Sequence, residues 1–336
     1  MRTLTLLFFS IFLFQNCSKP KATVFEDKRL AQEEVVKLCF IGDLGKDSPH
    51  QQIMADALGR EECHRIFFLG DLVYPKGISS VDDPEFEKKF LDYYKPLLDQ
   101  DPDLIIPLVL GNHDHKKDPS AWKDVSKRYE GFFFPNYYYM IDYGGLCLVA
   151  LDTSFYYYTE KVLEATEQAS WLFQLQSRLK DCEVKVAVTH HPLKGNGYDK
   201  TDDWEGASGP LKAFLETYII GKFDIHVAGH VHVLVDDGRD EKTRMLISGA
   251  GGENRSGGRS GFVVLRWEPH NPKRIGYSLR YIDTEVNVFD ESQSESEYAR
   301  QEQVSSEQEE HIIYKDRVEP WWPAKLFRSL VDKLKN

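Results

Sequence analysis

Cysteine is scarce in this chain, five in 336 residues, and no two stand in the Cys-x-x-Cys spacing of a structural zinc site. Basic charge is also in short supply. Lys and Arg number 42 against 54 Asp and Glu, a formal charge of −12; this argues against gripping duplex DNA or RNA through a basic surface. No internal repeat of solenoid type is present, so a stacked-repeat architecture is excluded. The N-terminal apolar stretch, residues 4–14, is too short to span a bilayer. What is there is globular: 41% apolar, 29% charged and 13% aromatic, with length for one large domain or two ordinary ones.

Arg2 followed by that apolar stretch has the form of a signal peptide. Leu13-Phe14-Gln15-Asn16-Cys17 follows at once and resembles a bacterial lipoprotein lipobox, although Gln15 and Asn16 stand where small residues are usual. An acylated Cys17 would tether the protein to a membrane; ordinary secretion is the alternative. Either places the chain outside the cytoplasm, in a bacterial periplasm or at a cell surface. Four cysteines then remain, Cys39, Cys63, Cys147 and Cys182, and sequence does not choose among their three pairings. Cys39 and Cys147 lie in apolar strand-like runs, which points to buried free thiols for those two.

The expected organisation is a signal segment, 1–17, a polar tether, 18–36, and a catalytic domain, 37–283. An acidic low-complexity linker, 284–314, and an amphipathic helix, 315–336, complete it. From Glu285 to Glu310 nine acidic residues face a single Arg300, a composition that does not support a packed core. In the last segment Trp321, Trp322, Leu326, Phe327, Leu330, Val331 and Leu334 form an apolar stripe flanked by Lys325, Arg328, Lys333 and Lys335. It suits docking on the body, a membrane surface or a partner. Within the body, helices are expected over 84–98 and 164–179. Trp171, Leu172, Leu175 and Leu179 fall on one face of the latter. A strand pair, 245–248 and 261–267, is expected to bracket a Gly-rich loop, 249–261.

Five segments carry the chemistry: Gly42-Asp43-Leu44-Gly45, Gly70-Asp71-Leu72-Val73-Tyr74, Gly111-Asn112-His113-Asp114-His115, Thr189-His190-His191-Pro192 and Gly229-His230-Val231-His232. Each follows a strand-like apolar run, so each puts a metal-type ligand on the loop at a strand's carboxyl end, where α/β proteins collect ligands. Asp and Asn after a strand often do no more than turn the chain. Five such ends in succession are a different matter, because together they suffice for two metals.

These segments, in this order, resemble the calcineurin-like metallophosphoesterase superfamily over roughly residues 38–252. The second and third resemble its purple acid phosphatase branch, of the small tartrate-resistant type. The resemblance implies an α/β (α+β sandwich) fold in four layers, two mixed β-sheets flanked by helices, with metals at the strand carboxyl ends. One departure is informative. Most of the superfamily opens with Asp-x-His, whereas this chain has Gly45 at the histidine's place, and Tyr74 stands three residues beyond Asp71. A phenolate is a hard anionic donor that favours Fe(III), and loss of His with gain of Tyr marks the purple branch.

Carried over residue by residue, the resemblance implies Asp43, Asp71, Tyr74 and His232 around Fe(III). Asp71, Asn112, His190 and His230 would hold a second ion, Fe(II), Zn or Mn, with Asp71 bridging. His191 becomes a pocket neighbour, His113 a catalytic residue facing substrate, Asp114 its orienting partner, and His115 a pocket candidate. His50, His64, His226, His270 and His311 have no such context and read as packing or surface residues. The implied activity is hydrolysis of phosphate monoesters by metal-bound hydroxide, acid phosphatase type. Candidate substrates are small phosphoesters, phosphoproteins or nucleotides. Two alternatives stay open: a phosphodiesterase or nucleotide-directed phosphohydrolase using the same site, and a non-catalytic surface-binding lipoprotein on this scaffold.

Overall fold

The structure is a computed structural model and describes residues 23–158, 160–195, 206–253, 259–282 and 310–314. Two seven-stranded sheets dominate it. The first is built from β1 (Val24–Glu26), β6 (Tyr139–Asp142), β7 (Leu146–Ala150), β8 (Val184–Val188), β9 (Ile225–Ala228), β11 (Thr243–Ser248) and β10 (Leu234–Asp240), in that spatial order. The second runs β14 (Glu310–Tyr314), β13 (Arg274–Ile282), β12 (Ser260–Trp267), β2 (Val36–Ile41), β3 (Arg65–Leu69), β4 (Ile106–Val109) and β5 (Phe132–Phe133). Strands β2 to β5 are parallel, as are β7, β8, β9 and β11; β12 to β14 and the hairpins β6–β7 and β10–β11 are antiparallel.

Alternation along the strands sets the layers. In β7, Leu146, Leu148 and Ala150 join the cluster that holds both sheets together, whereas Cys147 and Val149 join the cluster under the outer helices. Side chains two apart share a face, so one strand feeds two cores. The outer helices over the first sheet are α5 (Ser154–Tyr157), α6 (Val162–Leu179) and α7 (Gly209–Tyr218). Trp171, Leu172, Leu175 and Leu179 of α6 are all buried there, as the spacing required. The second sheet is covered by α1 (Pro49–Glu61) and by a helical run of α2 (Pro84–Phe86), a π turn (Glu87–Leu91) and α3 (Asp92–Gln100). A short α4 (Ala121–Arg128) completes the set. Ser48 caps α1 by accepting from Gln51 N, with Pro49 in the first turn, where its missing N–H is not needed.

Several expectations need correction. Cys39 and Cys147 are buried but not free: Cys39 pairs with Cys63 and Cys147 with Cys182, at Cα separations of 5.9 and 5.8 Å. Each bond ties a strand to the chain just after an outer helix, α1 for Cys39 and α6 for Cys147, a partner no local pattern reveals. The tether over 18–36 does not hold for its described part. Strand β1 pairs in parallel with β6, and Asp27 binds Arg65 Nη2 at 2.6 Å and Arg29 Nε at 2.9 Å. The linker over 284–314 contains β14, which pairs antiparallel with β13. The strands around the Gly-rich loop do not pair with each other: β11 belongs to the first sheet and β12 to the second. The signal segment with Cys17 and the amphipathic segment 315–336 lie outside the described residues. Among the described residues no helix is long and apolar enough to cross a membrane.

Candidate metal centre

The parallel strands β2, β3 and β4 of one sheet and β8 and β9 of the other deliver the five segments to one place. Among the described residues, three of the six non-glycine residues at positive φ are candidate ligands: Asp43 (60°), Asp71 (51°) and His230 (69°). Such a backbone is costly outside glycine and survives where surrounding contacts impose it, often at functional sites. Here the donors are fixed through their own main chain: His230 N donates to Asp43 Oδ2 at 2.7 Å, and His113 N to Asp71 Oδ1 at 2.8 Å.

Two groups of donor atoms result. In the first, Tyr74 Oη donates to Asp43 Oδ1 at 2.9 Å and lies 3.0 Å from His232 Nε2, which is 3.3 Å from Asp43 Oδ1. In the second, His190 Nε2 is 3.1 Å from Asn112 Oδ1, 3.3 Å from His230 Nδ1 and 3.5 Å from Asp71 Oδ1. Neighbouring ligands of a cation with ~2.1 Å bonds stand about 3 Å apart, so both groups have the spacing of a coordination shell. Asp71 links them, since donor atoms of Asp43, Asp71 and His190 lie within 4.8 Å of one another. Asp43, Asp71, Tyr74, Asn112, His190 and His232 are all buried. Buried carboxylates facing imidazoles and a phenol fit cations better than they fit each other.

The imidazoles are held in the tautomer that metal ligation needs. His190 Nδ1 donates to Leu69 O at 2.8 Å, which leaves the Nε2 lone pair toward the centre. His232 Nδ1 lies 3.1 Å from Glu253 Oε1, with the same effect. Burial, with His190 alongside, lowers the His230 pKa to about 3, so that ring is neutral.

Gly45 explains why this chain has no first histidine. A Cβ there would lie 2.1 Å from Leu72 O and 2.6 Å from Val73 Cα, and Tyr74 N donates to Gly45 O at 2.9 Å. The loop carrying Tyr74 occupies the space a side chain would need, so the two features exclude each other. Lys89, on the π turn, donates to Tyr74 O at 2.9 Å and braces the loop from behind. Gly111 is constrained in the same way, because a Cβ would lie 2.2 Å from Asp71 Oδ1.

His113 stands outside both donor groups. Its Nδ1 donates to Pro75 O at 2.6 Å, its ring packs on Tyr74 at 4.5 Å, and its Nε2 is 3.9 Å from Asp71 Oδ2. Asp114 does not orient it. That carboxylate is fully buried and accepts from Leu72 N at 3.0 Å and Gly111 N at 2.9 Å, so it ties the Asp71 loop to the Asn112 loop. Nor does His115 face a pocket; it is buried against Asp152, with Nε2 to Oδ2 at 2.7 Å. His191 does adjoin the centre. Its Nδ1 is 2.8 Å from Thr153 Oγ1, and its ring lies 4.6 Å from His230 and is stacked on Tyr157.

Four further residues support the centre. Glu253 sets His232. Lys46 lies over the Tyr74 ring, 3.7 Å from its centroid, and pairs with Glu253 at 2.8 Å. Lys116 Nζ lies 3.1 and 3.3 Å from the two ring nitrogens of His113. Tyr158 donates to Asn112 O at 2.8 Å. None carries a local signature; only the five strand-end segments do.

The fold and donor set define a metal-dependent hydrolase of phosphoesters. The chain belongs to the calcineurin-like phosphoesterase family, whose sequence model matches residues 36–234. Among its curated relatives is purple acid phosphatase 7 of Arabidopsis thaliana, 25% identical over 291 residues that cover 80% of this chain and 84% of the relative. Another is purple acid phosphatase 17 of the same plant, 27% identical over 239 residues, covering 64% and 68%. The fold is similar to that of GAP50 of Plasmodium, with a TM-score of 0.57 at 18% identity over 76% of this chain and 86% of that one. It is also similar to a dimetal phosphatase from Danio rerio, with a TM-score of 0.50 at 14% identity over 73% and 96%.

Proposed function

We propose that the chain is a phosphomonoesterase of the purple acid phosphatase type. Asp43, Asp71, Tyr74 and His232 hold Fe(III), and Asp71, Asn112, His190 and His230 hold Fe(II), Zn or Mn. The observation that carries this reading is Tyr74 Oη, within 3.0 Å of both Asp43 Oδ1 and His232 Nε2 on a loop that leaves no room for the usual first histidine. The names of the curated relatives support the same substrate class. GAP50 is described as the anchor in an inner membrane complex, so the scaffold alone does not argue for catalysis; the complete donor set does. Cys17 serves as the lipid anchor of an exported protein in this reading.

When bound, the cations acidify a water and neutralise charge on the phosphoryl group, the ferric ion at lower pH than a divalent one. The chain's own residues do the rest. His113, with Nδ1–H donating to Pro75 O, presents Nε2 to the substrate. In its doubly protonated form at acid pH it stabilises a phosphoryl oxygen and gives the Nε2 proton to the leaving alcohol, ending as the neutral Nδ1–H ring. Lys116 beside it supplies positive charge at the edge of an otherwise acidic protein, favouring a dianionic monoester over a monoanionic diester.

The test is hydrolysis of an aryl phosphate monoester and the matching diester by the metal-loaded protein. The monoester is expected to be turned over at least tenfold faster, and equal rates would reject monoester specificity. Tyr74→Phe gives a second expected result. The iron-loaded wild type has a broad visible charge-transfer band that the variant lacks, while both metals and part of the activity remain because a solvent oxygen takes the vacant position. A colourless, fully active, oxidised wild type would make Tyr74 a packing residue.

A further inference from the structure

Through Tyr157 and Tyr158 the metal centre adjoins a largely apolar groove that none of the proposed ligands lines. Tyr157 is 46% exposed, and its ring is stacked on His191 at 5.1 Å and 15°. Tyr158, next to it, donates to Asn112 O. From these two tyrosines a groove of about 690 Å³ runs between α6 and α7, past Val162 and Ala169 on one side and Pro210 and Phe214 on the other. Its volume lies within the ~300–1,000 Å³ range of pockets that hold whole small ligands. Among the described residues no charged side chain lines it, although 29% of the chain is charged.

Helix α6 has a second, mostly apolar stripe besides its core face. Val162, Thr166 and Ala169 line the groove at helical spacing, and Phe173 continues the stripe beyond it; Val162 is 62% and Phe173 71% exposed. A helix needs one apolar face to dock on its sheet. A second one, open to solvent and leading to a reactive centre, marks a place for an apolar ligand. To a peptide or a nucleotide this lining offers the hydroxyls of its tyrosines, Thr166, Thr217 and Ser208 but no charge, whereas a hydrocarbon chain needs no polar partner and suits the apolar walls.

We propose that the groove seats the hydrocarbon chain of the substrate's alcohol, so that the enzyme acts on lipid-type phosphomonoesters. This rests on the phosphomonoesterase reading and names its substrate class. The phosphoryl group lies at the metal centre, the ester oxygen points past His191 and Tyr157, and the alkyl chain lies along Val162 and Phe214. Water adds its oxygen to phosphorus, the bond from phosphorus to the ester oxygen breaks, and a proton passes to that oxygen. The products are inorganic phosphate and a long-chain alcohol, and no other reactant is consumed.

The test is a series of n-alkyl phosphates, ethyl to octyl, on the metal-loaded full chain, with n-alkyl phosphonates as ligands that bind without being hydrolysed. kcat/KM is expected to rise roughly two- to fourfold per added methylene until the groove is filled, the gain that burying each one implies. Phosphonate Kd, measured by calorimetry, is expected to fall in parallel. Val162→Glu combined with Ala213→Glu, both at exposed groove positions, is expected to flatten both series while leaving ethyl phosphate turnover unchanged. A flat series in both readouts, with ethyl phosphate still hydrolysed, overturns the proposal, whether segment 315–336 or a partner protein covers the groove instead. A steep phosphonate series that the double variant abolishes upholds the groove even if no monoester is hydrolysed; in that case the phosphomonoesterase reading alone fails.

Discussion

Asp71→Asn is expected to leave the fold intact, empty the centre of metal and reduce phosphoester hydrolysis by at least ~10³-fold. The substitution keeps volume and one carbonyl-type oxygen, so the buried site stays filled and His113 N keeps its acceptor, now at 2.8 Å from Asp71 Oδ1. What disappears is a negative charge between the two donor groups. Asp71 is 2% exposed and within reach of both Asp43 and His190. An amide in its place offers one neutral oxygen to one ion and an N–H₂ to the other. In the proposed ligand sets the only remaining carboxylate is Asp43. Two cations next to each other then repel with little to offset them. Elemental analysis and activity on one preparation decide the matter. Retention of two metals per chain with activity within tenfold of wild type would remove Asp71 from the bridging position.

The centre was legible in the sequence to the extent that its signals are local. A buried strand followed by a candidate ligand is a contiguous pattern, with a glycine between them in four of the five segments. The family resemblance then singles out Asp43, Asp71, Asn112, His190, His230 and His232, whose donor atoms the structure brings near one another. Tyr74 was legible through an absence, Gly45, although the steric reason for that absence lies in Leu72 and Val73, which only folding brings against it. The errors share one cause. Asp114 follows His113 in sequence and was assigned to serve it, but it opens a short 3₁₀ turn (Asp114–Lys116) in which successive side chains point in different directions. Asp114 therefore faces Leu72 and Gly111 while His113 faces outward. His115 is turned to Asp152, a residue beyond β7 whose approach no spacing announces.

The disulfides fail for the complementary reason. Burial of Cys39 and Cys147 was read correctly, but Cys63 and Cys182 sit in turns after α1 and α6, and strand pairing decides which sulfur they meet. The same holds for β1 and β14. Both are short edge strands, and their pairing with β6 and β13 is a long-range contact that no local pattern announces.

His113→Ala is expected to separate chemistry from metal binding. The ring belongs to neither donor group, and its Nε2 lies 3.9 Å from Asp71 Oδ2, too long for a hydrogen bond. Its removal takes away one hydrogen bond to Pro75 O and one packing face of Tyr74, neither of which holds a cation. Both metals should therefore remain, and the visible band of the iron-loaded protein with them. Turnover should fall by about 10²–10⁴-fold, as for removal of a proton donor or of an electrostatic contact to the transition state. If Nε2 gives the leaving alcohol its proton, the loss must depend on that alcohol. It should be large for alkyl phosphates, whose alkoxide leaves poorly, and much smaller for a nitrophenyl ester, whose phenolate needs no proton. Asp114→Ala provides the contrast. It leaves His113 in place but strips two buried N–H groups of their acceptor, so it should lower stability by about 2–5 kcal/mol and loosen the Asp71 and Asn112 loops together. A His113→Ala protein with near wild-type turnover on alkyl esters would place the proton donor elsewhere, with Lys116 the next group in line.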